Sequence, residues 1–294
     1  MNPDHPTRPR PGSDQILKAA AASGLHGSGS RGAARIMSAL CDPAASTEQV
    51  AALVIGEPAL YARVLRVANC AYYGQSRSVT SMERALALLG MNAVRGIAAA
   101  ACLDRALPQA SKGAVLDIGE LVNHSHATAL AAESLARIRR PGLMSDAFIG
   151  GLLHNLGVVL QIQLDLSGVS AMIELRKSGD LRDMRALESE CCAIGHEEYI
   201  GVVFEAWHLP DSLIAAVRDH HDPQAAPQEF RDLAALINLA ATLALAAGNT
   251  FALEPAARPR NPDAIARLGL ADGQIDEVAA ELPARLAELK KAFA

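Results

Sequence analysis

The sequence has few aromatic residues, no strong excess of positive or negative charge, and no long apolar runs. Only 3% of its 294 residues are aromatic although 50% are hydrophobic, so its core must be built mainly from Ala, Leu, Val and Ile. Heavy alanine usage of this kind favours closely packed helices. The formal net charge is −5 with both signs interspersed, which argues against a basic nucleic-acid-binding surface. We therefore predict an all-α protein that does not bind nucleic acid.

Cysteine pairs and membrane signals are also lacking. The five cysteines form no C-x-x-C pair, and the neighbours Cys191 and Cys192 are poor disulfide partners for each other, so reduced thiols are expected. No stretch has about 18 consecutive apolar residues, and residues 1–30 lack the apolar centre of a signal peptide. These absences predict a cytoplasmic protein that does not associate with a membrane.

Breaks in the helical pattern divide the chain into three predicted parts. Residues 1–30 are rich in Pro, Gly and Ser and are expected to be largely disordered, with at best one short alanine-rich helix. Residues 31–112 predict an N-terminal helical subdomain that contains a capping box, Ser46-x-x-Gln49. After a weakly patterned stretch, residues 113–294 predict a second subdomain that ends in amphipathic C-terminal helices.

Five histidines fall on the inward-facing pattern of the second predicted subdomain. His124 lies in a long alanine-rich helix, and His196 shares a helical stripe with Ile200. His154 lies in the almost wholly apolar segment 147–160, which we interpret as one central helix surrounded by its neighbours. The five members of this histidine cluster are His124, His154, His196, His220 and His221.

The residue that follows His154 limits the chemistry of the cluster. Imidazoles that line a buried surface are typical of metal-dependent phosphohydrolases, but Asn155 stands where such a site would want a carboxylate. A neutral amide cannot bridge hard divalent ions or balance their charge. Three interpretations stay open: buried hydrogen bonding, a residual site for Zn²⁺, Fe or Ni²⁺, and catalysis with such a metal.

Several motifs together resemble the HDOD domain. They run in the family's order over about residues 31–290 and comprise Glu57-Pro58-Ala59-Leu60, Arg66-Val67-Ala68-Asn69 with Tyr73-Gly74, F-I-G-G-L-L-H-N-L-G at 148–157, Gly195-His196, Trp207-His208-Leu209-Pro210 and His220-His221. The resemblance implies an all-helical fold in which an N-terminal bundle packs on a second helical subdomain. That second subdomain is expected to be similar to HD phosphohydrolases and to HD-GYP cyclic di-GMP phosphodiesterases. It also implies a bacterial signalling protein of a family without established enzymatic activity.

The resemblance gives the histidines and their neighbours particular places. His124 matches the first helix histidine, and His154 with Asn155 falls at the defining His-Asp dyad. Ala241 falls where active relatives carry a second aspartate. With both acids replaced, we predict no catalytic residue, no resident metal and no other cofactor, and we expect any residual divalent metal to be held by the five histidines. The predicted vestigial pocket comprises His124, His154, Asn155, His196, His220 and His221.

The predicted function is non-catalytic signal transduction through a protein partner. Since the sequence contains no receiver or kinase segment, that partner is expected in trans. Its candidate surface consists of Arg63, Arg66, Asn69, Tyr72 and Tyr73, because arginine and aromatic side chains commonly anchor interfaces. Asn69 also has an interpretation as a helix-ending cap. Two alternatives remain: a metal-dependent phosphohydrolase or cyclic-nucleotide phosphodiesterase, and a receptor that binds a nucleotide second messenger without turnover.

Overall fold

The structure, a computed structural model, describes residues 10–22, 39, 42, 44–69, 79–91, 94, 97, 116–206 and 209–293. These residues are predominantly helical, which confirms the predicted all-α fold. Within this part of the chain, β-pairing is limited to one isolated bridge between Phe251 and Glu254.

The part of the chain that the structure describes contains thirteen α-helices, a 3₁₀ turn at Pro141–Leu143 and a further helical stretch at 82–91. The α-helices are α1 (Ser13–Ala22), α2 (Thr47–Ile55), α3 (Pro58–Ala68), α4 (Ile118–Arg139), α5 (Met144–Leu153), α6 (Leu156–Leu164), α7 (Leu166–Lys177), α8 (Met184–Cys191), α9 (His196–Ala206), α10 (Asp211–Arg218), α11 (Arg231–Ala246), α12 (Pro262–Leu268) and α13 (Asp272–Phe293).

Side-chain caps define the helix ends in the N-terminal half. The capping box is confirmed, because the Ser46 hydroxyl accepts from the Gln49 backbone N–H and the Gln49 side chain accepts from the Ser46 backbone. At the end of α3, the Asn69 amide donates to the Leu65 carbonyl at 2.7 Å. The same amide exchanges two hydrogen bonds with the Val79 backbone, at 2.7 and 2.8 Å. Asn69 therefore caps α3 and also holds the backbone at Val79 against the end of that helix.

The centre of the second half is formed by α4, which packs against α5 and α11. Two glycines of α5 permit this close packing. A Cβ at Gly151 would lie only 2.8 Å from the Cα of Ala129 in α4, and one at Gly150 would lie against the Ile237 side chain in α11. Gly151 therefore lets α5 approach the backbone of α4, and Gly150 leaves room for the Ile237 side chain of α11.

The prediction of one continuous central helix over 147–160 was wrong. The structure ends α5 at Leu153 and begins α6 at Leu156, so His154 and Asn155 lie in the turn between them. A Cβ at Gly157 would overlap the backbone carbonyl of His196. The beginning of α6 thus rests directly on the beginning of α9, and this tertiary contact accompanies a break that apolar periodicity does not reveal.

The short alanine-rich helix allowed for within residues 1–30 is present as α1, and residues 1–9 and 23–30 lie outside the described residues. Helix α1 packs against α6 and α9, and Ile16 is 2% exposed. Arg10 adds an ion pair with Glu198 of α9. Burial of the Ile16 side chain stabilises the docked helix, although the segment around it is polar. The predicted boundary near residue 112 lies outside the described residues.

One described stretch, Pro141–Leu164, is long and apolar enough by composition to cross a membrane. It contains α5 and α6, and 78% of its apolar window is buried inside the protein. Its hydrophobicity is therefore accounted for by its position in the core.

Candidate functional site

The five predicted histidines form one contiguous cluster. Ring centroids lie 5.3 Å apart for His124 and His154, and 5.0 Å apart for His154 and His220. His196 lies 5.4 Å from His220 and 5.3 Å from His221, and the last two rings are 4.1 Å apart. Helix α4, the α5–α6 turn, the start of α9 and the turn after α10 supply them. Four of the side chains are buried, and His221 is partly exposed.

Backbone carbonyls fix the orientation of three imidazoles. The Nδ1 atom of His124 donates to Asn249 at 2.8 Å, and those of His154 and His220 donate to carbonyls one helical turn earlier at 2.7 Å. Because a carbonyl only accepts, each neutral ring carries its proton on Nδ1 and presents Nε2 as a lone pair. The Nε2 of His154 is buried and has no hydrogen-bond partner among the described residues.

Glu188 holds His196 and was missed by the sequence analysis. One oxygen of Glu188 accepts from His196 Nδ1 at 2.8 Å and from the His196 backbone N–H at 2.9 Å. The Gln161 amide donates to the same oxygen at 2.8 Å. Burial by itself lowers the pKa of His196, but the charge and hydrogen bond of Glu188 outweigh it and raise that pKa above its usual value.

Two further carboxylates lie at opposite sides of the cluster. Glu197 Oε1 is 3.7 Å from His220 Nδ1, and burial raises the pKa of Glu197 to about 7. Glu254 Oε2 is 4.0 Å from His124 Nε2. The signal for Glu197 was its position directly after His196, whereas Glu254 falls in a Pro-rich turn without periodicity and gave no signal. The pocket has therefore lost the dyad acid without losing all negative charge.

Arg258 places a positive charge at the edge of the cluster. Its guanidinium donates to His221 Nδ1 at 3.1 Å and forms an ion pair with Glu254 at 3.0 Å. His221 therefore accepts at Nδ1, unlike the three carbonyl-bound rings. Burial, followed by the charges of neighbouring groups, lowers the pKa of His154, His220 and His221 well below the usual histidine value. These rings are neutral donors of lone pairs at pH 7.

The two positions matched to aspartates carry uncharged side chains in the core. Asn155 is 1% exposed, and neither atom of its amide has a hydrogen-bond partner among the described residues. Ala241 is equally buried, within α11. Neither can anchor a hard ion such as Mg²⁺. The donors that are present are imidazole nitrogens, with the carboxylates of Glu188, Glu197 and Glu254 beside them, and such a set fits a borderline ion such as Zn²⁺ or Ni²⁺.

The predicted partner surface is only partly described. Arg66 is exposed and Arg63 partly buried on α3, while Asn69 is committed to capping. Tyr72 and Tyr73 lie outside the described residues.

The fold and the pocket together define a helical module related to the HD phosphohydrolases. The family model of the HDOD domain matches residues 30–223, well over half of the chain. The chain belongs to the HDOD domain family.

Comparison with individual proteins found a curated relative that matches part of the chain. An uncharacterised protein of Treponema pallidum (strain Nichols) is 24% identical over 206 residues, which cover 70% of this chain and 39% of that protein. The chain thus spans about two fifths of the length of the curated relative it matches.

Solved structures show the same architecture. An HDOD domain protein of unknown function from Geobacter sulfurreducens has a TM-score of 0.68 and 23% identity, over 89% of this chain and 90% of that one. A candidate signal transduction protein from Marinobacter aquaeolei VT8 also has a TM-score of 0.68, with 24% identity over 89% of this chain and 57% of that one. A candidate phosphohydrolase from Shewanella amazonensis SB2B has a TM-score of 0.67 and 20% identity, over 94% of this chain and 100% of that one. At these identities, the likeness establishes the shared fold.

Proposed function

We propose that the chain is a non-catalytic, cytoplasmic signalling module that acts through a protein partner in trans. The observation that carries the proposal is the neutral, buried Asn155 at the dyad position. Hydrolysis of a phosphodiester by HD-type chemistry needs a metal-bound water and an acid that anchors the metal. Asn155 and Ala241 supply no such acid, so the helical scaffold is retained without its hydrolytic centre.

One observation favours the rival function of a metal-dependent phosphohydrolase. Glu188, Glu197 and Glu254 remain beside the histidines, and a carboxylate can act as a metal ligand or a general base. Two of them are already engaged, because Glu188 holds His196 and Gln161 while Glu254 pairs with Arg258. Glu197 alone is therefore a poor replacement for two aspartates.

Hydrolysis assays separate the two functions. With Mg²⁺, Mn²⁺, Fe²⁺ or Zn²⁺ present, we expect cyclic dinucleotides, nucleoside phosphates and a chromogenic phosphodiester to be hydrolysed at the background rate. The matched variants are His154→Ala in the cluster and His126→Ala, a buried histidine of the same half outside the cluster's ring contacts. Turnover that disappears in His154→Ala and persists in His126→Ala would establish the enzyme instead.

Pull-downs with charge-reversal variants test the proposed partner contact. Arg66 and Arg139 are both exposed arginines in the last turn of a helix, on α3 and α4 respectively. In pull-downs from the native cell, Arg66→Glu should lose the specific partner while Arg139→Glu keeps it, because charge reversal disrupts an arginine-anchored interface. Equal retention by both variants would remove the α3 surface from the proposal. Loss only in folded cluster variants would move the contact to the histidine pocket, as expected for a ligand-controlled receptor.

A further inference from the structure

The imidazoles of the cluster are positioned before any ligand arrives. Glu188 holds His196 by Nδ1, and backbone carbonyls hold His154 and His220 by the same atom. This arrangement, in which the second ring nitrogen donates to a carboxylate or a carbonyl, is the outer-shell pattern of histidines that bind metal ions. It fixes the tautomer and directs Nε2 away from the supporting group.

Several of the ring nitrogens that remain are buried and lack partners. The Nε2 atoms of His154, His196 and His221 have no hydrogen-bond partner among the described residues. A buried polar atom without a partner is destabilising, so native proteins retain few of them without a functional reason. The same region contains three histidines, His196, His220 and His221, whose potential ligand atoms all lie within 4.8 Å of one another.

We propose that His196, His220 and His221 form a binding site for one borderline divalent cation, Zn²⁺, Fe²⁺, Ni²⁺ or Co²⁺. Imidazole nitrogens select such ions over Mg²⁺ and Ca²⁺. The Glu197 carboxyl group lies 3.7 Å from His220 Nδ1, on the side of that ring opposite the Nε2 atom. The site uses neither the dyad position nor Ala241, and it does not depend on the proposed signalling function. It differs from the sequence-based expectation of no resident metal.

A surface cleft reaches the carboxylates that lie beside the histidines of the site, although none of the three histidines lines it. It has a volume of about 580 Å³, and its lining includes Glu188 and Glu197, which touch the cluster from this side. Acidic side chains in the lining outnumber basic ones. A cleft with an excess of negative charge raises the local concentration of cations.

Arg258 competes with the ion for the same site. While its guanidinium donates to His221 Nδ1, the proton of the neutral His221 ring is on Nε2, where it blocks metal binding by that atom. Glu254 offers the guanidinium an alternative partner at 3.0 Å. Metal binding is therefore coupled to release of His221 by Arg258, and removal of the guanidinium should strengthen binding.

The experiment titrates the untagged, chelator-treated protein with Zn²⁺, Ni²⁺ or Co²⁺ and measures stoichiometry by elemental analysis and affinity by calorimetry. We expect one equivalent, a rise in melting temperature with ion concentration, and a tenfold or greater loss of affinity in His220→Gln. Glu188→Gln should lose affinity about 10- to 100-fold, as changes to outer-shell partners do. The matched control, His126→Gln, changes a buried histidine outside the ring contacts and should bind like the wild type.

Arg258→Met is expected to change the ion affinity in the opposite direction, with tighter binding than in the wild type. This variant keeps the test valid if a histidine variant fails to fold. Absence of stoichiometric binding in both the wild type and Arg258→Met would overturn the proposal. So would equal affinity of folded His220→Gln and His126→Gln, since the ion would then be held elsewhere.

Discussion

At the residue scale, the histidines differ in what holds them and therefore in how they respond to acid. His124 is fully buried, donates to the Asn249 carbonyl and lies near Glu254. Burial lowers the pKa of His124, and the charge of Glu254 and the hydrogen bond to Asn249 oppose this effect only in part. Its folded-state pKa thus lies below the value of about 6.5 that it has when the chain is unfolded.

We predict that this difference makes the protein sensitive to mild acid. The stabilisation from neutral His124 is fully present above pH 6.5 and is lost as the pH falls below it, because the unfolded chain then takes up a proton that the folded chain does not. Denaturant melts of the metal-free protein between pH 5 and 7.5 measure the free energy of unfolding. His124→Gln should flatten the slope by up to about 1.4 kcal/mol per pH unit. Parallel slopes for the two proteins would contradict this prediction.

At the element scale, close backbone contacts decide where helices begin and end. Helix α6 begins on the backbone of α9, and α5 lies directly on α4, each through glycines that leave no room for a side chain. These contacts bring His154 in the α5–α6 turn together with His196 at the start of α9. The pocket therefore depends on helix packing as much as on the histidines themselves.

Gly157→Ala tests this dependence. Its Cβ would overlap the His196 carbonyl, so α6 and α9 must separate, and we expect a loss of about 1–3 kcal/mol or more in unfolding free energy. Gly142→Ala is the control, because a Cβ there meets nothing within 4 Å. Thermal and denaturant unfolding of both variants give the comparison. A Gly157→Ala protein as stable as Gly142→Ala would show that α6 and α9 are not in this close contact.

At the scale of the whole molecule, the N-terminal helix joins the second half of the chain. Helix α1 lies on α6 and α9, the helices that flank the histidine pocket. Ile16 is its buried anchor, whereas the Arg10–Glu198 ion pair joins two exposed side chains and contributes little. A segment with the composition of a disordered tail thus becomes part of the folded unit.

Ile16→Ala measures this docking. If α1 is packed as described, the variant should lose about 2–5 kcal/mol of unfolding free energy, since removal of a buried isoleucine side chain leaves a cavity. Lys18→Ala, an exposed change on the same helix, should have little effect. Chemical denaturation of the full chain distinguishes the two. Equal stability of both variants would mean that α1 is undocked in solution.

The sequence by itself determined the features that repeat along the chain or depend on neighbouring residues. Alanine-rich composition and helical periodicity predicted the all-α fold, the Ser46 box predicted a helix start, and inward stripes placed the five histidines. The motif at 148–157 identified the family and the missing dyad acid. Each of these signals arises from side chains within a few residues of one another, which is the range over which a sequence pattern has physical meaning.

Only the tertiary structure decided which groups surround the histidines. Glu188, Asn249, Glu254 and Arg258 reach the cluster from other elements, and Arg258 is 37 residues from the histidine it contacts. The break between α5 and α6 likewise accompanies a contact with His196, far along the chain from Gly157. Contacts between distant residues depend on how the whole core packs, so no local pattern encodes them. They set the protonation of each imidazole and leave specific nitrogens available for a ligand.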